Sequence, residues 1–541
     1  MAMRDYQSAA RQFDLRQAVE RDLNGSLEAL NACVECCDRH LGQDRVALYQ
    51  ESEDGHGEQY TFEQLSDAAG RFATVLAARG VGAGDRVAGL LPRRVELLIT
   101  VLATWRLGAV YQPLFTAFGP KAIEHRVHAA DTRVIVTDRD NRDKLDEVST
   151  DAAVITVGAD RAGDGDFHAL LEGSRDHHPP VMRDAQSPFL MMFTSGTTGL
   201  PKAVPVPLKA VLAFQGYLRD AVGLREDDRF WNLADPGWAY GLYYAITGPL
   251  ALGHATTFYS GGFSVESTCR VIEKYRITNL AGSPTAFRLM MAGGAPVVAA
   301  LRGRLRAVSS AGEPLTPAVI RWFAEELGVT IHDHYGQTEL GMVLCNHHAL
   351  SHPVREGAAG MAVPGHRVVV VDDQGRELPP GEPGILAVDR RQSPLFWFEG
   401  YPSAPGKSFL GDYYLSGDTV EGNEDGTISF VGRDDDIITT SGYRVGPFDV
   451  ESALIEHPAV VEAAVVGVPD PERTEIVKAF VVTGAGHAGD EALARELQEQ
   501  VRHRLSAHAY PRRIEFVDSL PKTPSGKIQR FLLRRQESPD R

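Results

Sequence analysis

The densest concentration of reactive groups in this chain is Phe193-Thr-Ser-Gly-Thr-Thr-Gly-Leu-Pro-Lys202. Its two glycines let backbone approach a polyphosphate. The hydroxyls of Thr194, Ser195, Thr197 and Thr198 supply donors together with the intervening N–H groups, and Lys202 adds positive charge. The segment follows the apolar Phe189-Leu-Met-Met192, which places it at the end of a strand, where an α/β sheet opens its binding crevice. It is not a Walker A loop, which needs Gly-Lys-Ser/Thr after four variable residues; here Leu200-Pro201 precedes Lys202 and Ala203 follows it. Lys527 closes Pro521-Lys-Thr-Pro-Ser-Gly-Lys527, a turn that by itself would only be solvated, and Arg433-Asp-Asp-Asp436 by itself reads as an acidic surface turn. Cys33-x-x-Cys36-Cys37-x-x-His40 has zinc-ligand residue types, but no second ligand pair follows at finger spacing. It reads as a helix over 27–41 with sulfur on its inner face.

Such groups need a frame, and the frame is legible as alternation. Runs at 86–92, 109–114 and 133–137 read as strands separated by helices at 95–107 and 120–129, which implies a mostly parallel sheet covered on both faces. A capping-box start, Thr61-Phe-Glu-Gln64, precedes a helix toward Arg79. The rhythm resumes with helices near 209–222 and 265–274 and strands at 278–281 and 306–309. From Gly365 to about Gly432 short β runs and turns predict a β-rich subdomain. Beyond Asp436 a compact unit follows: a helix at 447–456, strands at 460–468 and 478–482, a helix at 491–505 and a basic tail ending in Arg534-Arg535.

The 541 residues exceed one domain, and 43% apolar with 23% charged residues is ordinary globular composition, so disorder is not the chain's main character. The net charge of −17 argues against affinity drawn from non-specific attraction to nucleic acid or anionic lipid. Five cysteines, an odd number, fit a reducing compartment better than a disulfide framework, and residues 1–16 contain no apolar signal region. The uncharged run 236–265 is broken by six glycines and reads as a buried helix followed by a buried strand, not a membrane span. A cytoplasmic location is expected.

With five further segments in matching order, the Thr194 to Lys202 loop resembles the signature of the AMP-forming, adenylate-forming superfamily: acyl-CoA synthetases, luciferases and peptide-synthetase adenylation domains. Within it the chain is most similar to acetyl-CoA and medium-chain acyl-CoA synthetases, from about Leu30 to Arg534. The resemblance implies an α/β fold with a large composite N-terminal domain (1–432, doubly wound sheets plus the β-rich subdomain at about 365–432), a hinge at 433–436 and a small mobile α+β lid at 437–541. It implies activation of a carboxylic acid by ATP to acyl-AMP with pyrophosphate release, then transfer to CoA. ATP, Mg²⁺ and CoA are the implied cofactors and co-substrates.

Residue by residue, the same resemblance puts Thr194, Ser195, Gly196, Thr197, Thr198, Gly199 and Lys202 on the phosphates, and Gly312, Glu313 and Pro314 of Ser310-Ala-Gly-Glu-Pro314 against adenine. In Asp333-His334-Tyr335-Gly336-Gln337-Thr338-Glu339, Tyr335 would stack on the base, Thr338 contact the α-phosphate and Glu339 hold Mg²⁺. Asp418 and Arg433 would hold the ribose, Asp435 would be the hinge and Lys527 the catalytic lysine. Ser441, Gly442 and Arg444 would turn into the site for the CoA step, with Arg502 on a CoA phosphate. Trp238, Ala239, Tyr240, Ala311 and Gly336 fall at acyl-pocket positions. Gly336 stands where acetate-specific relatives carry a tryptophan, so the expected acid is propionate to medium-chain, branched or aryl, and a Trp there should favour acetate; bulky Tyr240 would shorten or bend the cavity. Ala203, Pro205 and Pro207 depart from the family pattern and bear on loop mobility. Lys527 would be a target for a protein acyltransferase and deacylase. The alternatives are acetyl-CoA synthetase, an amino-acid or aryl adenylating enzyme with Asp235 as amino anchor, and a non-catalytic nucleotide sensor, which would be expected to have lost Lys527 or Glu339.

Overall fold

A helix whose sequence is Val-Glu-Leu-Leu-Ile-Thr-Val-Leu-Ala-Thr-Trp-Arg has no polar face to offer water, and Val95–Arg106 is accordingly buried on nearly all sides. It packs against Phe62–Ala77, whose start is fixed by the expected capping box: Gln64 N–H donates to Thr61 Oγ1 and Thr61 N–H to Gln64 Oε1. The computed structural model describes residues 3–194, 201–313, 315–404, 406–433, 436–440, 443–470, 473–484, 486–505, 509–522 and 527–537.

Among the described residues, Arg86–Leu90, Val110–Pro113, Thr132–Asp138, Ala153–Val157 and Gly165–Asp166 run parallel in a seven-stranded sheet. Pro188–Thr194 joins it in parallel and then turns back antiparallel as Lys202–Pro207, with Thr194 opposite Lys202. The hydroxyl-rich loop therefore caps a hairpin. Lys202–Pro207 is the edge strand, which is where Pro205 and Pro207 are tolerated, since one side of such a strand needs no N–H donor.

A longer, eleven-stranded sheet starts with four parallel strands, Phe230–Asn232, Asn279–Gly282, Ala307–Ala311 and Ile331–Gln337. It continues antiparallel through Gly341–Cys345, Ala358–Ala362, Ile428–Arg433, Tyr413–Gly422, Pro383–Asp389 and Val368–Val371. The β-rich stretch thus does not close on itself, and Asp333 to Gln337, Asp418 and Arg433 share one sheet. The uncharged 236–265 run forms helix from Ala239 to Ala251, with Leu242–Thr247 in π-helical register, and then the buried strand Thr256–Tyr259. No single helix among the described residues is long and apolar enough to cross a membrane; Pro284–Gly293 and Ala295–Leu301 pass that test only as a pair bent by 107°.

Two local expectations are corrected. The helix expected over 27–41 is only Ala32–Cys36, followed by a 3₁₀ turn at Asp38–His40. Asn31 forces the later start: its Oδ1 accepts from Cys33 and Val34 N–H while its Nδ2 donates to the carbonyls of Trp105 and Val181, so it serves as N-cap and tether together. All five cysteines are buried thiols; Cys36 Sγ donates to the Thr247 carbonyl and Cys37 Sγ to that of Phe62. The basic tail is in fact a helix, Arg530–Glu537, because its charges find partners: Arg534 on Asp436 at 2.5 Å and Glu537 on Lys478 at 2.6 Å, with Leu533 buried beneath.

C-terminal to the long sheet, Ile438–Thr440, Tyr443–Val445, Val460–Asp470, Thr474–Thr483 and Arg513–Phe516 form a five-stranded sheet with an apolar layer on each face. Pro447–Ile455 packs against Ile428–Arg433 of the long sheet. Within this unit Glu451 is almost wholly buried. It accepts Val465 N–H at 2.8 Å and a two-pronged contact from Arg530, whose other terminal nitrogen lies 3.6 Å from Asp436. Removing one partner of a buried ion pair strands the other charge. Glu451→Gln is therefore expected to cost this C-terminal unit roughly 3 kcal/mol of stability. Hydrogen exchange of Val460–Asp470 reads it, and unchanged protection there would contradict the account.

Candidate active site

Strand residues alternate between faces, and Ile331–Gln337 uses the alternation to separate two sets of side chains. On one face, the Tyr335 hydroxyl donates to Asp418 Oδ2 and Gln337 Nε2 donates to the same oxygen at 2.9 Å. Gln337 is itself held by the Tyr414 hydroxyl, 2.9 Å from its Oε1. Asp418 is the register partner of Arg433, whose guanidinium stands 4.0 Å from its carboxylate. Burial raises the Asp418 carboxyl above the usual carboxylate range, and Tyr335, Arg433 and Gln337 oppose that rise. Asp333 lies on the same face. Its Oδ2 receives a long contact from Leu315 N–H, at 3.4 Å, its Oδ1 has no hydrogen-bond partner among the described residues, and burial pushes its carboxyl up to about 8.

His334 is a correction. Expected with the nucleotide, it points to the opposite face, almost fully buried, with Nδ1 2.8 Å from the Tyr217 hydroxyl and Nε2 3.2 Å from the Asn346 carbonyl. Both ring nitrogens are thereby engaged inside the protein. Its register partner is Ala311, so it belongs with the candidate acyl side.

Glu339 follows the strand and is only 6% exposed. Tyr401 donates its hydroxyl to Glu339 Oε1 at 2.5 Å, and Lys202 lies with its ammonium 4.6 Å from the Tyr401 ring centre. Burial raises the Glu339 carboxyl; the Tyr401 hydrogen bond and the charge of Lys527 oppose it. The charge of Lys527, an exposed lysine of the C-terminal unit, opposes the rise at Asp418 as well. The Tyr243 hydroxyl donates to the Thr338 carbonyl at 2.9 Å and fixes the turn between them. Glu313 is held by Thr285 and by Arg288 at 2.9 Å, next to Gly312, whose φ of +102° suits glycine.

Trp238 stacks its indole near Phe115 and Phe118, with ring centres 5.4 and 5.5 Å away, and Ala239 and Tyr240 begin the helix that follows. Asp235 is 3.8 Å from Arg93 and accepts Gly237 N–H, so its charge is already partnered. Gly336 is the second correction. A Cβ there would lie 2.2 Å from the Gly341 carbonyl oxygen and 2.7 Å from Met342 Cα. The position abuts the backbone of the next strand, so a tryptophan there would displace that strand before it narrowed any cavity, and the expected shift toward acetate does not follow. Arg502 is not brought to the group; it is exposed on Glu491–Arg504, 6.0 Å from the Tyr510 ring of its own domain. Ser195, Gly196, Thr197, Thr198, Gly199, Pro314, Asp435, Ser441, Gly442 and the Arg444 side chain lie outside the described residues. A cleft of about 620 Å³ lined by Ser52, Arg94, Thr116, Asp138, Asn141 and Ser260 contains none of these candidates. Tyr401, Tyr217 and Arg530 are the contributors that sequence reasoning missed. Each is a common residue type in an unremarkable local context, and only contacts across 60 to 120 positions distinguish them, as in Tyr401 to Glu339 (62) and Tyr217 to His334 (117).

Comparison with known proteins gives the same assignment from a different direction. The family model described as AMP-binding enzyme matches residues 37–401, and that described as AMP-binding enzyme C-terminal domain matches 449–527. The crystal structure of an acyl-CoA synthetase from Brucella canis is 58% identical with a TM-score of 0.81, covering 99% of both chains. That of the anthranilate CoA ligase AuaEII in complex with anthranoyl-AMP is 27% identical with a TM-score of 0.86, covering 94% of this chain and 97% of that one. Acetyl-coenzyme A synthetase of Bacillus subtilis (strain 168) is 36% identical over 548 residues, 99% of this chain and 95% of its own. Two buried carboxylates on one sheet, met by the charge of a lysine from a separate C-terminal unit, are thus carried by a chain that belongs to the AMP-binding enzyme family as an AMP-forming acyl-CoA synthetase.

Proposed function

We propose that this synthetase runs its two half-reactions, ATP-dependent formation of an acyl-adenylate and transfer of the acyl group to CoA, on the residues gathered around Glu339 and Asp418. The observation that supports this reading is the cluster of Asp418, Tyr335, Gln337 and Arg433 on one sheet beside buried Glu339, with the charge of Lys527 acting on both carboxylates. In the first half-reaction a carboxylate oxygen attacks the α-phosphorus and the bond to the β-phosphate oxygen breaks. Both reactants are anions, so the site must screen repulsion and align the attacking oxygen with the leaving group. Lys202 and Lys527 supply the cationic charge. Asp418 accepts from the ribose diol with Arg433 beside it, Tyr335 offers its ring to the base, and unpartnered Asp333 Oδ1 can take up a base polar group. Glu339 offers the hard carboxylate oxygen that Mg²⁺ prefers, and the bound ion would neutralise phosphate charge.

In the second half-reaction the unit after the hinge turns about Asp435, withdraws Lys527 and presents Ser441, Gly442 and Arg444, while the CoA sulfur attacks the acyl carbonyl and AMP leaves. The division into 1–432, 433–436 and 437–541 is the one this motion needs. The acid is propionate to medium-chain, branched or aryl, a reading supported by the medium-chain acyl-CoA synthetases and the anthranilate CoA ligase this chain is similar to, and not by Gly336. Lys527 is exposed, so protein acylation there would remove the ammonium that adenylation uses.

Lys527→Ala is expected to lower acid-dependent pyrophosphate release by about 10²–10³-fold while still converting supplied acyl-adenylate and CoA to thioester. Equal loss of both half-reactions would contradict the lid assignment. Asp333 yields a pH prediction. Its folded-state value of about 8 lies above that of an unfolded aspartate, so the folded protein holds an extra proton across that window and loses stability as pH rises through it. Asp333→Asn removes that slope. Its melting temperature should exceed the native one by a margin that grows from pH 5 to pH 8; a pH-independent margin would show Asp333 to be ionised in the native fold.

A further inference from the structure

Three tyrosines on the helix after Trp238 reach toward the hairpin formed by Ile331–Gln337 and Gly341–Cys345. Tyr240, Tyr243 and Tyr244 are spaced i, i+3 and i+4 and so share one helix face. Two are firmly satisfied: the Tyr243 hydroxyl donates to the Thr338 carbonyl at 2.9 Å, and the Tyr244 oxygen accepts Met342 N–H at 2.8 Å. The third is not. The hydroxyl of half-buried Tyr240 has one polar neighbour among the described residues, the Tyr217 oxygen at 3.4 Å, the outer limit of a hydrogen bond.

The direction of that chain is set from its far end. The Asn346 carbonyl can only accept, so His334 Nε2 carries the proton directed at it and Nδ1 presents a lone pair. The Tyr217 hydroxyl must then donate to Nδ1, at 2.8 Å, which leaves its oxygen able only to accept from Tyr240. Tyr217 and His334 sit among apolar core side chains, where phenylalanine and leucine would pack without the cost of burying polar atoms. The chain ends at Tyr240, next to Ala239, while at its other end His334 is the register partner of Ala311. With its proton directed at Tyr217, the Tyr240 oxygen keeps lone pairs that no hydrogen bond among the described residues engages.

We infer that Tyr240 is a specificity-determining residue whose oxygen accepts a hydrogen bond from the acyl part of the substrate, so that the preferred acid carries a hydroxyl or amino substituent on its chain or ring. This rests on the acyl-CoA synthetase reading and on Ala239, Tyr240 and Ala311 bounding the acyl side.

The test uses the full-length enzyme with MgATP and CoA, measuring pyrophosphate and thioester for acids matched in skeleton: butyrate against hydroxybutyrates, and benzoate against hydroxy- and aminobenzoates. Native enzyme should favour a substituted member by about tenfold or more in kcat/KM, and Tyr240→Phe, which keeps the ring, should erase that ratio. Tyr217→Phe should reduce it without changing the skeleton preferred. Equal use of substituted and unsubstituted acids by the native enzyme, or a ratio unaltered in Tyr240→Phe, would overturn the inference. Failure of the underlying reading looks different: no acid of either kind yields thioester, or Ala239→Val leaves the whole acid profile unchanged because the pocket lies elsewhere.

Discussion

A carboxylate taken out of water has to be given donors or a cation, and the arrangement of this molecule follows from meeting that demand twice within one site. Asp418 is supplied from its own sheet, by Tyr335, Gln337 and the cross-strand Arg433. Glu339 is supplied from further away, by Tyr401 and by positive charge arriving from the C-terminal unit on Lys527. The second arrangement couples the electrostatics of the site to the position of a separate structural unit.

The scaffold transmits this economically. The eleven-stranded sheet carries Ile331–Gln337, Asp418 and Arg433 on one hydrogen-bonded surface, so their relative positions are set by register. Lys202 comes from the edge strand of the other large sheet and meets the first group through the Tyr401 ring. In the C-terminal unit, Arg530 stands three residues after Lys527 and joins buried Glu451 to Asp436. Asp436, Glu451, Arg530 and Arg534 thereby form one ion-paired block within the C-terminal unit.

Much of this was legible beforehand, for identifiable reasons. The alternation of strands and helices was readable because fully buried strands and the helix Val95–Arg106 are apolar runs separated by glycine, proline and capping residues. The expected helix over 27–41 failed because a single asparagine, bonded to carbonyls more than 70 positions away, outweighed local helix preference. The tail was misread because the partners of Arg534 and Glu537 lie at Asp436 and Lys478, too distant for local pattern to connect. Gly336 was read by position in a motif, which says where its backbone runs but not what its missing Cβ would strike.

The sequence alone was enough for the reaction class, through the resemblance of its ordered motifs to those of the adenylate-forming superfamily. Only the tertiary structure decided which side of a strand each residue serves. Asp333 and Tyr335 face one way and His334 the other because a strand reverses its side chains at every residue, and the neighbour found on each side is set by sheet order and register. That reversal turns the His334 imidazole away from Asp418 and into contact with Tyr217, which in turn meets Tyr240. Local spacing carries no information about such a partner, because the contact is made by packing strands and helices more than a hundred residues apart.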